Sequence, residues 1–69
     1  MNIYCIQLNT EFTFGQWIVL APTEAEAKQE LFDQQSWIES SGMEVTCTYL
    51  AQKPFMVQAV LMGGWRSNG

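Results

Sequence analysis

Pro22-Thr23-Glu24-Ala25-Glu26-Ala27-Lys28-Gln29-Glu30-Leu31-Phe32-Asp33-Gln34-Gln35-Ser36-Trp37-Ile38-Glu39-Ser40-Ser41-Gly42 is the stretch that decides the fold. Pro22 stops any strand before it, because it has no N–H to continue a ladder. Thr23 followed by Glu26 is a capping box, in which the hydroxyl accepts from a backbone N–H and the carboxylate reaches back. Ala, Glu, Lys, Gln and Leu then favour a helix from about residue 24 to about residue 40. Gly42 suits the left-handed position that ends it. Advancing about 100° per residue puts Ala27, Leu31 and Ile38 on one side, flanked by Ala25 and Phe32. Glu26, Glu30, Asp33 and Trp37 fall on the far side, as a row of three carboxylates ending in an indole.

The segments on either side of this helix read as strands. Asn2 to Leu8 is rich in β-branched and aromatic residues, Asn9-Thr10-Glu11 is a turn, and Phe12 to Ala21 is a second strand with Gly15 as a bulge or kink. Beyond the helix, Met43 to Leu50 alternates, with Met43, Val45, Cys47 and Tyr49 on one side and Glu44, Thr46 and Thr48 on the other. Ala51-Gln52-Lys53-Pro54 reads as a turn into a fourth strand over 55–62, again in a hairpin, and 63–69 as a tail. The expected architecture is α+β, a ββαββ order with a four-stranded antiparallel sheet and one helix packed on one face. All 69 residues form a single domain.

One helix covers one face of such a sheet, yet both parities of the strands carry apolar residues. Phe12, Phe14, Ile18 and Leu20 oppose Trp17 and Val19, while Phe55, Val57, Ala59 and Leu61 oppose Met56, Val60 and Met62. A sheet wet on one side alternates more cleanly. The second face is therefore expected to be covered, by a homodimer partner, a target protein or the chain's own Trp65.

Composition excludes several function classes. The chain is 48% hydrophobic and 14% charged, too apolar for disorder. It has no histidine, so the commonest general base and metal ligand is missing. Cys5 and Cys47 stand far apart, without a Cys-x-x-Cys, and zinc needs four ligands. They read as reduced core residues, and a redox or small-ligand role for them is a minor alternative. Gly63-Gly64 lacks the Lys-Ser/Thr of a phosphate loop. The expectation is a protein that is not an enzyme and takes no cofactor and no metal. Lys28, Lys53 and Arg66 are too few to grip phosphates, which argues against direct nucleic-acid binding. The longest apolar run is far short of a membrane span, and the first residues have no basic segment followed by a long apolar one, so no membrane association and a cytoplasmic location are expected.

The acidity is localised. Glu24, Glu26, Glu30, Asp33 and Glu39 against Lys28 leave −4, which equals the net charge of the whole chain. A solvated outer face accounts for this in most helices. The sharper reading is a docking face for a basic partner, with Trp37 as anchor and Trp65 as a second aromatic contact. In length, in the acidic helix from Thr23 to Glu39 and in its two flanking hairpins, the chain resembles the small anti-CRISPR proteins of phages and mobile elements. That resemblance implies a binder in the bacterial host cell that inhibits a CRISPR effector complex by blocking a protein surface. The partner-binding residues expected on this reading are Glu26, Glu30, Asp33, Trp37 and Trp65. The alternative is a homodimeric assembly module paired through the second sheet face.

Overall fold

The computed structural model describes residues 1–52 and 58–67. In chain order the elements are β1 (Asn2–Asn9), β2 (Thr13–Ala21), α1 (Glu24–Gln34), α2 (Ser36–Ser40), β3 (Val45–Gln52) and β4 (Ala59–Ser67). The four strands form one antiparallel sheet in the order β3-β1-β2-β4, so the ββαββ, α+β architecture stands.

β1 and β2 form the central hairpin, in unbroken register from Asn2 opposite Ala21 to Asn9 opposite Phe14. Thr10 builds the turn: its hydroxyl accepts from the N–H groups of Phe12 and Thr13 at 3.3 and 3.0 Å, and its own N–H donates to the Thr13 carbonyl. Phe12 consequently belongs to the turn and not to β2, and its side chain is exposed. Gly15 sits in regular register, so it is neither a bulge nor a kink.

The helix begins where the capping signature places it. Thr23 is extended, and its hydroxyl accepts from the Glu26 N–H at 3.2 Å. The single helix expected to residue 40 is instead two. Gln35 leaves helical geometry at φ −124° and ψ 64°, and the short α2 follows. Gln35 also accepts, through its side-chain oxygen, the indole N–H of Trp37 at 2.8 Å. Gly42 then takes φ 74°, the left-handed conformation expected of it.

The last two strands differ most from expectation. β3 and β4 lie at opposite edges of the sheet, so the hairpin expected between them does not form. β3 pairs with β1 and β4 with β2. β3 spans Val45–Gln52, later than residues 43–50, because Ala51 and Gln52 continue the strand opposite Ile3 and Asn2. β4 runs to Ser67, through residues expected to be a tail. Its expected start over 55–57, with Lys53 and Pro54 of the expected turn and the final two residues, lies outside the described residues. Each edge strand carries one extra residue, Leu50 in β3 and Leu61 in β4, where the pairing register shifts.

The core fills the space between sheet and helices. Tyr4, Ile6 and Leu8 of β1 and Trp17, Val19 and Ala21 of β2 meet Ala27 and Leu31 of α1 and Ile38 of α2. Leu31 and Ile38 are fully buried, which stabilises the helix on the sheet by roughly 1.5–3 kcal/mol each.

Trp17 needs two glycines around it. A Cβ on Gly15 would strike the Trp17 ring, approaching Cζ3 to 2.8 Å. Gly63 is opposite Trp17 on β4, at φ 141°, and a Cβ there would meet the Gln16 carbonyl oxygen and the Trp17 backbone and ring. Gly64, one residue on, has open space around it. Gly63→Ala is therefore expected to lower stability by about 2–3 kcal/mol, while Gly64→Ala stays within about 0.5 kcal/mol. Urea denaturation of the two variants tests this, and equal midpoints would contradict it.

Candidate binding surfaces

The acidic face is carried by α1 and its continuation. Glu24, Glu26, Asp33 and Glu39 are exposed, and Glu30 is half-buried. Lys28 pairs with Glu24 at 3.6 Å across one helical turn, so the cation on this face is matched locally. Glu30 is engaged on both oxygens, accepting from Gln58 at 3.0 Å and, more weakly, from Gln34 at 3.5 Å. It ties α1 to the residue just before β4. Asp33 accepts from Gln29 at 2.9 Å and remains exposed. The row expected from the helical wheel thus contains one carboxylate held inside the fold, Glu30, and two presented to solvent, Glu26 and Asp33.

Trp37 leaves that row. The break at Gln35 re-aims the final helical turn, and Trp37 packs half-buried against the core. Its ring centroid lies 5.1 Å from that of Trp65, with the planes tilted by 56°. Trp65 is opposite Gly15, on the face of the sheet that carries the helices. It therefore does not cover the second face, for which it was one of the expected candidates. Trp65 is still 53% exposed, so the indole pair forms a rim where α2 meets the end of β4. Around the end of β4, Phe14, Gly64, Trp65 and Arg66 line an open depression of about 320 Å³, with the Arg66 guanidinium 6.0 Å from the Phe14 ring centroid.

Register assigns the second face. Ile3, Cys5, Ile18, Leu20, Ala51, Ala59 and Met62 alternate onto one half of it, with Thr48 beside Cys5, and Gln7, Gln16, Thr46, Phe14 and Arg66 onto the other. Met62 is 66% exposed there. The two-sided apolar pattern of the sequence is thus concentrated at one end of the sheet, while the other end mixes amides and a hydroxyl with the Phe14 ring and Arg66.

The cysteines lie on opposite faces. Cys5 is opposite Thr48 and Ile18 and accepts from the Gln16 amide at 3.4 Å, whereas Cys47 is opposite Ile6, on the core side. Both are free, and no backbone adjustment short of flipping a strand would join them. Among the described residues no three Cys, Asp or Glu side chains gather as a metal site, and no helix is long and apolar enough to cross a membrane.

Burial pushes the Cys47 thiol above its ordinary pKa, Glu24 adds to the rise, Lys28 opposes it, and Cys5 adds a smaller push. The fold favours the neutral thiol. Its contribution to stability is therefore intact below the ordinary thiol range and is lost as pH rises through the raised value. In a Cys5→Ser protein, alkylation of Cys47 by iodoacetamide is expected to rise with pH through a midpoint above that of a free thiol. Glu24→Gln should bring the midpoint down. A midpoint at the free-thiol value would contradict the assigned cause.

No family model, curated protein or solved structure matches this chain.

Proposed function

We propose that this chain is a non-catalytic binding protein that sets the acidic face of α1 against a basic protein surface, of the kind a CRISPR effector complex uses to hold nucleic acid. The supporting observation is the confinement of net charge to the helical segment, −3 on α1 and −1 on α2. The helical segment carries −4, equal to the charge of the whole chain, and Glu26, Asp33 and Glu39 are exposed on it. Carboxylates meeting Arg or Lys in a desolvated interface form stronger hydrogen bonds than exposed pairs do. A surface of one sign also speeds encounter with a surface of the other.

The fold suits this role. α1 is held from below by Ala27 and Leu31, so its outer face moves with the sheet and loses little freedom on binding. Glu30 serves chiefly to fix that helix through Gln58. Glu26 and Asp33 are the residues on which docking rests, with Trp37 and Trp65 as apolar area beside them. The inhibitor would act in the bacterial cytoplasm by occluding the surface it binds.

The test is capture of a purified, guide-loaded CRISPR effector complex by the immobilised protein, compared with a Glu26→Lys, Asp33→Lys variant. Wild type is expected to retain the complex and to release it as salt is raised. The variant should bind at least about tenfold more weakly while keeping its circular dichroism. Equal retention by both proteins, or no retention by wild type, would overturn the reading.

A further inference from the structure

The two edges of this sheet are built differently. Natural edge strands are blunted by charges, prolines, glycines or bulges, because a row of unpaired N–H and C=O groups invites another strand. β4 carries such devices along its middle and end: the extra residue at Leu61, Gly63 at φ 141°, Gly64 and Arg66. β3 reads Val45-Thr46-Cys47-Thr48-Tyr49-Leu50-Ala51-Gln52, with no charge, no proline and no glycine. Its one irregularity is at Leu50, which leaves Val45 to Tyr49 as a regular run. Thr46, Thr48 and Tyr49 are exposed along it. These residue types have high β-propensity, so the strand is a ready template.

We propose that this bare edge is an interface for a second copy of the chain, with β3 pairing antiparallel to β3 of its twin about a two-fold axis. A closed symmetric pair must join like edge to like edge, whereas β3 joined to β4 would leave free ends and grow. The strand is complementary to itself under that symmetry. With the axis at Cys47, Val45 lies opposite Tyr49 of the second copy, Thr46 opposite its Thr48, and Cys47 opposite its Cys47. Threonines then pair on the open face, and a β-branched residue meets an aromatic on the helix face, both favourable cross-strand pairs. The absence of formal charge from the strand means that no like charges are opposed. Tyr49 is free for this contact, because its ring meets Tyr4 edge-on within the monomer and is still 56% exposed. The result is a continuous eight-stranded sheet with the helices of both copies on one face. This inference does not rest on the acidic-helix reading.

Sedimentation from low to high micromolar concentration is the first test, on wild type, a Thr46→Lys, Thr48→Lys variant and Gly64→Lys at the other edge. Wild type should approach twice the monomer mass. The threonine variant places lysines opposite lysines and should raise the dimer dissociation constant by roughly tenfold or more. Gly64→Lys should dimerise as wild type does. A second measurement uses the folded Cys5→Ser protein and a short bismaleimide. Opposed residues across an antiparallel pair lie about 4.5–5.5 Å apart at Cα, so Cys47 should cross-link to Cys47 in step with dimer formation. The cross-link stands even if the threonine variant fails to fold. A monomer at every concentration overturns the proposal. So does a dimer that survives the threonine variant but is lost in Gly64→Lys, or a dimer in which Cys47 does not cross-link.

Discussion

The sheet is organised around Trp17. Its indole approaches Gly15 in its own strand and Gly63 in the neighbouring one, and neither position has room for a methyl group. That fit does two things together. It favours a register between β2 and β4 that puts a glycine, Gly63, opposite Trp17, and it brings Trp65 beside Gly15, where it meets Trp37. A large aromatic ring in a thin core thus links three strands and the end of the second helix. In a domain of this size, which buries only roughly 60% of its unfolded surface, few side chains are large enough to make such a link.

Much of the architecture was legible in local chemistry. Thr23 capped the helix, Gly42 ended it, and the alternation of Val45, Cys47 and Tyr49 named the side of β3 that faces the core. These signals act within a few residues, where sequence patterns are strong. What escaped was set by partners distant in sequence. Nothing near Gly63-Gly64-Trp65 announces a strand, because two glycines weaken it and its ladder depends on β2. The order β3-β1-β2-β4 is likewise invisible to a reading that joins neighbours in sequence, since a short polar link suits a hairpin as well as a crossing.

The residues expected on the acidic face divide in the same way. Glu26 and Asp33 are presented as a helical wheel requires, because α1 is regular where they sit. Glu30 and Trp37 are not, for two separate reasons. Gln58, distant in sequence, claims Glu30, and the break at Gln35 swings Trp37 away. A wheel assumes a continuous helix with solvent behind it, and both assumptions end at the boundary of α1. The sequence around Gln35 gave one signal: Asp33-Gln34-Gln35-Ser36 is a polar run between Leu31-Phe32 and Trp37-Ile38, the kind of step at which a helix can restart.

The strand order also bears on how the chain comes together. The central hairpin joins residues separated by one short turn, so its closure costs little entropy. Each edge, by contrast, closes a long loop: Asn2 pairs with Gln52, and Thr13 with Ser67. The entropy of those closures must be met before the edges return any stability, which makes assembly slower than the small size would imply. The two loops overlap in the chain across both helices, so each margin closes onto a centre that the other also uses.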